Sequence, residues 1–97
     1  ILGRMPRDRS RRHIRAVDVD AVLAYNGFDL SEFVTGGWLP GYRIAQDGRR
    51  QVNVFHDGPG EVDGLERYRL ELQAAGFHVV ADQQPGGGRR RLHVTRT

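Results

Sequence analysis

Arginine is the residue type with the most evident binding chemistry in this chain. All fifteen cationic side chains are arginines, and none is lysine. Residues 1–15 hold six arginines and one aspartate, a net charge of +5, and residues 89–97 hold four arginines and no acid. The intervening residues 16–88 carry −6, with five arginines against eleven acids. Basic ends of this kind are typical of solvated tails, and also of arms that bind nucleic acid or an acidic partner.

A second candidate surface lies on the strands predicted below. Side chains alternate between the two faces of a strand, which gives one open face these residues: Arg43, Gln51, Asn53, Phe55, His78, Arg91 and His93. An aromatic ring there could stack a base while arginines hold phosphates, as on open sheets that bind single-stranded RNA. The candidate nucleic-acid-binding residues are therefore Arg7, Arg9, Arg11, Arg12, Arg15, Arg43, Phe55, Arg89, Arg90 and Arg91.

The four histidines are the natural candidates for a metal or acid–base site, because imidazole ligates zinc and titrates near neutral pH. His78 and His93 fall on paired strands, with Asp82 as the nearest acid, whereas His13 lies near the chain start and His56 ends a strand. Two histidines without a close third ligand make a poor zinc site. We interpret them as part of a solvated sheet face and predict no metal site.

A glycine-rich loop between a strand and a helix, residues 58–64, has the position of a phosphate-binding turn. However, Glu61, Asp63 and Glu66 would place carboxylates where the phosphate would lie. Asp63 and Glu66 also have the spacing of a capping box. We therefore interpret this loop as the capped start of a helix.

Nucleophilic catalysis has little support in the sequence. The chain has no cysteine, and neither Ser10 nor Ser31 lies in a strained strand-to-helix elbow. The sequence therefore predicts a chain that is not an enzyme and needs no cofactor.

Trp38, the single tryptophan, lies in a loop bracketed by glycines. Such a residue either covers the end of the core or serves as an exposed anchor for a partner. Because large aromatic residues in small domains are mostly needed for burial, we expect Trp38 to cover the core.

Two helices follow from the hydrophobic spacing. The first is predicted from Asp18 to a stop at Asn26-Gly27, with a further turn over residues 31–34. The main helix is predicted over residues 63–75, where an apolar stripe precedes a glycine cap. The stripe consists of Leu65, Tyr68, Leu72 and Ala75. Leu70 lies outside this stripe, so we expect the first helix, or else a dimer partner, to cover it.

Four strands complete the prediction. Residues 42–46 and 51–56 flank the turn Asp47-Gly48, and residues 77–81 and 91–95 flank the turn-rich segment 84–88. The fold class is therefore α+β: a short N-terminal helix followed by a ββαββ roll. The roll has a four-stranded, mainly antiparallel sheet with one main helix packed on one face.

Length and composition bound the remaining possibilities. Ninety-seven residues without cysteine suit one domain with a thin core and no disulfides. We expect a flexible basic arm over residues 1–15, a single domain over 16–97, no membrane span, and a cytoplasmic location. Exclusive use of arginine is typical of a GC-rich, bacterial genome. Two hypotheses remain open: an accessory or regulatory factor that binds DNA or RNA non-specifically, and an interaction module for an acidic protein or for self-association.

Overall fold

Two helices and six strands make up the computed structural model, which describes residues 12–96. In chain order they are α1 (Ala16–Tyr25), β1 (Phe33–Val34), β2 (Gly37–Trp38), β3 (Gly41–Asp47), β4 (Gln51–Asp57), α2 (Glu61–Ala74), β5 (Phe77–Gln83) and β6 (Arg90–Arg96). Among the described residues, no helix combines the length and apolar character needed to cross a membrane.

The main sheet has the strand order β3-β4-β6-β5, and every neighbouring pair is antiparallel. Two hairpins, β3–β4 and β5–β6, are joined by α2, and β6 lies between β4 and β5. The predicted α+β fold, with a main helix against a four-stranded antiparallel sheet, is confirmed. The first predicted hairpin is also confirmed, but its turn is residues 48–50: Asp47 ends β3 opposite Gln51, and of the predicted pair Gly48 alone has a positive φ, 71°.

The core lies between the sheet and the two helices. Val52 and Val54 of β4 and Leu92 and Val94 of β6 are buried on the helix side of the sheet. The predicted stripe of α2 meets them, since Leu65, Tyr68 and Leu72 are buried. The other predicted member of the stripe, Ala75, is exposed because the helix has ended at Ala74.

The start of α2 differs from the prediction. The helix begins at Glu61, and the preceding Gly60 adopts a left-handed φ of 78° that favours glycine. The predicted capping box is wrong, because α2 has no side-chain cap and Glu66 instead pairs with Arg69 one turn later. The spacing of Asp63 and Glu66 fits a capping box, but the left-handed Gly60 lets the helix begin at Glu61, two residues before the predicted start.

The predicted helical turn over residues 31–34 is also wrong. Phe33–Val34 and Gly37–Trp38 instead form a two-stranded antiparallel hairpin. Gly36 and Gly37 have φ angles of 98° and 136°, which let the chain reverse direction there. We call the segment from Leu30 to Leu39 the aromatic hairpin.

The N-terminal part of the described chain is more firmly packed than the sequence suggested. Ile14, assigned to the flexible arm, is 1% exposed and belongs to the core. Its amide donates a hydrogen bond to the Arg49 carbonyl at 2.9 Å. Residues 1–11 of the predicted arm lie outside the described residues.

Leu70 is 52% exposed, so the expectation that α1 covers it is wrong. Helix α1 packs on β3 and on the flank of α2 that carries Tyr68, where Phe28 meets the Tyr68 ring edge-on at 4.9 Å. Leu70 lies on the side of α2 opposite the sheet, beyond the reach of α1.

Candidate nucleic-acid interface

One end of the sheet brings the chain entering α1 against the β3–β4 turn. The Gln46 side-chain amide joins them: its nitrogen donates to the carbonyls of Ile14 at 2.8 Å and Gly48 at 2.7 Å, and its oxygen accepts from the Ala16 amide at 2.8 Å. With the Ile14–Arg49 hydrogen bond, this network fixes residues 14–16 beside the turn. Basic residues far apart in the sequence therefore share one surface.

We call this surface the basic end; it comprises Arg12, His13, Arg15, Arg49 and Arg50, all exposed. A depression of about 520 Å³ lies here, lined by His13, Ile14, Arg15, Ala16, Val17, Gln46, Gly48 and Arg49, none of which is acidic. Within residues 12–96, no carboxylate lies at ion-pair distance from Arg49 or Arg50. These guanidinium groups are therefore available to an anionic ligand.

Arg43 and Phe55 lie on the open face of the sheet, where alternation predicted them, as a directly opposed cross-strand pair. Phe55 is nevertheless only 7% exposed. The Arg43 guanidinium lies 4.8 Å from the centre of the ring, and that of Arg89 lies 5.8 Å from it. Stacking a base on Phe55 would require these two cations to move.

Asp57 is the centre of this cluster. Its carboxylate accepts hydrogen bonds from Ser31 Oγ at 2.8 Å, Arg43 Nε at 2.9 Å and Arg89 Nη2 at 3.1 Å. Burial opposes ionisation, but the hydrogen bonds from Arg43, Ser31 and Arg89 outweigh it and hold the pKa of Asp57 below its ordinary value. Two of the predicted binding arginines are therefore already bonded to one buried acid, and Arg89 also pairs with Glu61 at 3.3 Å.

The other end of the open face is a polar network. Arg91 donates to Asp82 at 3.0 Å, and this hydrogen bond holds the pKa of Asp82 below its ordinary value despite some desolvation, with a further contribution from His93. His93 Nε2 lies 2.5 Å from Asp82, and its Nδ1 lies 2.8 Å from Asn53 Oδ1. The predicted histidines thus belong to a polar sheet face, with His93 bonded and His78 exposed.

The structure disperses the predicted site residues. Arg12 and Arg15 lie at the basic end, whereas Arg43, Phe55 and Arg89 gather around Asp57. Arg90 approaches Glu61 at 4.0 Å, and Arg91 is bonded to Asp82. Arg7, Arg9 and Arg11 lie outside the described residues. The residues predicted from the sequence did not include Arg49 and Arg50, although two consecutive arginines directly after Asp47-Gly48 indicated a basic turn.

The aromatic hairpin forms an exposed apolar surface. Trp38 is 53% exposed and meets the 70% exposed Phe33 edge-on, with ring centres 5.3 Å apart. Leu30, Val34 and Leu39 are also exposed. The expectation that Trp38 covers the core is wrong, because its ring packs on Phe33 and on the Arg43 guanidinium, 5.6 Å away.

His56 belongs to a small rigid cluster beside a groove of about 280 Å³. A carbonyl can only accept, so Nε2 donates to the Pro59 carbonyl at 2.9 Å, and Nδ1 is hydrogen-bonded to the Tyr68 hydroxyl at 2.7 Å. Gly64 makes room for the ring, since a Cβ there would lie 2.6 Å from Nδ1. Both nitrogens are occupied by structural hydrogen bonds, and the part of the chain described holds no cluster of three metal-ligating side chains.

Comparison of the chain with protein-family models, with curated proteins and with solved structures finds no match.

Proposed function

We propose that this protein is a nucleic-acid-associated accessory factor that binds DNA or RNA through its basic end and the adjoining N-terminal arm. The main support for this proposal is a difference between two sets of arginines. Arg49 and Arg50 have no carboxylate partner among residues 12–96. In contrast, Arg43, Arg89 and Arg91 are each bonded to an aspartate. Unpaired guanidinium groups can bind phosphates without first breaking an internal ion pair.

Binding of this kind is sequence-independent. Flexible arginines contact phosphates and release counterions, and phosphate contacts carry no base information directly. Among the residues of the basic end, the His13 imidazole is the single ring on which a base could stack, which leaves electrostatics as the main source of affinity. A cytoplasmic location is consistent with this proposal.

The double variant Arg49→Ala/Arg50→Ala should weaken binding of a fluorescent 20-nucleotide strand and reduce its salt dependence. Each lost phosphate contact lowers the slope of log K against log salt by about 0.7 for a single strand and about 0.9 for duplex DNA. Fluorescence anisotropy across about 50 to 200 mM salt measures both quantities.

The matched control is Arg67→Ala/Arg69→Ala, which removes the same two charges from α2. Equal loss of affinity in the two double variants would mean that net charge alone matters, and would contradict a localised site.

The contribution of the N-terminal arm to binding is best tested with a chain that begins at Arg12, because deletion through residue 15 would also remove the buried Ile14.

A second candidate function, a protein-interaction module, is favoured by the aromatic hairpin. Exposed tryptophan is enriched among residues that dominate interface energies. Peptides selected from a random displayed library should bind this surface and lose about tenfold or more in affinity on Trp38→Ala. Val17→Ala, which alters another exposed apolar residue, is the control. Selected peptides that bind Trp38→Ala and the wild type equally would exclude the hairpin as their site.

A further inference from the structure

The two edge strands of the main sheet, β3 and β5, differ in whether another part of the chain covers their outer edge. At the β3 edge, residues 29–31 run alongside: the Tyr42 amide donates to the Asp29 carbonyl at 2.9 Å, and the Ser31 amide donates to the Tyr42 carbonyl at 2.8 Å. Farther along β3, the Gln46 side chain holds the chain entering α1. The β3 edge is therefore covered.

The β5 edge has no such cover among residues 12–96. Strand β5 pairs with β6 on one side, and no described backbone group bonds to its other side. Its sequence, Phe77 to Gln83, contains no proline and no arginine, and its one acid, Asp82, is bonded to Arg91 and His93 of the neighbouring strand. Every second residue of this seven-residue strand therefore directs an unpaired N–H and C=O to the free edge.

We propose that β5 pairs with β5 of a second copy of this chain, in an antiparallel register centred on Val80, to form a dimer with one continuous eight-stranded sheet. A two-fold axis at Val80 places Val79 opposite Ala81 of the second copy, and Phe77 opposite Gln83. All seven residues of the strand are then paired, and the contact closes on itself as two-fold symmetry requires.

Charge complementarity supports this occupant and this register. His78, Val80 and Asp82 lie on the open face, because their cross-strand partners are Thr95, His93 and Arg91. The proposed axis places each His78 directly opposite Asp82 of the other copy, at a Cβ separation of about 4.5 to 5.5 Å. The two imidazole–carboxylate pairs flank a central contact between the two Val80 side chains, which are 47% exposed in the single chain.

Asp82 can accept this additional partner. Arg91 and His93 approach it from β6, on the inner side of β5, and His78 of the second copy would approach from the outer side. A carboxylate has about four lone-pair positions, enough for three donors. The dimer leaves the basic end and the aromatic hairpin free, because both lie at or beyond the opposite edge, so this inference goes beyond the proposed function.

Sedimentation equilibrium of the full chain at about 100 µM, a concentration suited to the weak binding of small interfaces, should give twice the chain mass of 11.0 kDa. Val80→Lys should give the single-chain mass, since two ammonium groups would meet at the axis. Val17→Lys, which changes a 58% exposed valine on α1, should stay dimeric. A monomeric wild type, or a Val80→Lys chain that remains dimeric, would overturn the proposal.

A charge exchange tests the register independently. In a dimer of the His78→Asp variant, each of these cross-axis pairs would consist of two carboxylates, and in a dimer of the Asp82→His variant, of two imidazoles. Each variant alone should therefore be monomeric at pH 6. Mixed one to one, they restore both pairs, and native mass spectrometry should detect the heterodimer. Folding of each variant is checked by circular dichroism before mixing. If both are folded and no heterodimer forms, the proposed register is wrong.

Discussion

Leu72→Ala should destabilise the protein by about 2 to 5 kcal/mol, because it opens a cavity between α2 and the sheet that the surroundings fill only in part. Leu72 is fully buried in the described chain, with 0% of its surface exposed. The expected loss is a large fraction of the stability of a domain this size, which is on the order of 5 to 15 kcal/mol. A fall of about 10 °C or more in the melting temperature should accompany it.

The matched control for this change is Leu70→Ala. It makes the same substitution two residues away in the same helix, where the side chain is 52% exposed. Its effect should remain within about 0.5 kcal/mol, as for most surface substitutions. Urea denaturation of the three proteins compares them directly, and equal midpoints for Leu72→Ala and the wild type would contradict the observed packing of α2.

The parts of the fold that the sequence predicted share one physical property: a regular side-chain period over several residues. β4 places Val52 and Val54 on the helix side by alternation, and α2 repeats with Leu65 and Leu72 inward, so a regular apolar period identifies each element. The turn at Gly48 was predictable because a tight hairpin turn needs positive φ angles. These signals are local and therefore visible in the sequence.

The features that escaped prediction depend on contacts between distant residues. The strands β1 and β2 have two residues each, too few to show any period. Ile14 is one apolar residue among arginines, and its burial follows from the Gln46 hydrogen bonds to a chain segment about thirty residues away. The bonding of Arg43 and Arg89 to Asp57 likewise depends on the β3–β4 register and on the positions at which β4 ends and β6 begins.

The same dependence on contacts between distant residues explains why the candidate site consists of other residues than the sequence predicted. Alternation correctly placed Arg43 and Phe55 on the open face, but it gives no information about which charges are already paired there. Asp57 follows Phe55 by two residues and therefore shares its face. The basic end depended instead on the path of the chain before α1, which no sequence period records.

Asp57→Asn should cost about 1.5 to 3 kcal/mol at neutral pH, the range for hydrogen bonds to charged groups. The substitution replaces a buried acceptor of three hydrogen bonds with an amide that has one acceptor oxygen. Loss of one partner from a fully buried ion pair costs more, but the side chains of Arg43 and Arg89 are 34% and 42% exposed and regain some hydration. The free energy of unfolding in urea measures the loss.

Asp63→Asn is the control for charge removal, since Asp63 is exposed in the first turn of α2 and has no ion pair among residues 12–96. Its loss weakens only the interaction with the helix dipole, worth about 0.3 to 1 kcal/mol. A larger effect at Asp63 than at Asp57 would contradict the central position of Asp57 in the open-face cluster.

The pH dependence of the Asp57→Asn effect has a definite sign. The folded-state pKa of Asp57 lies below its ordinary value of 3.8, so the unfolded chain binds the proton more tightly than the folded chain. Its stabilising contribution is therefore complete above pH 3.8 and is lost as the pH falls through the lower, folded-state pKa. The difference in unfolding free energy between wild type and Asp57→Asn should be constant from neutral pH to about pH 5 and should narrow in more acidic solution. A difference that stays constant through that acidic range would show that the lost stability comes from packing and not from the ionised carboxylate.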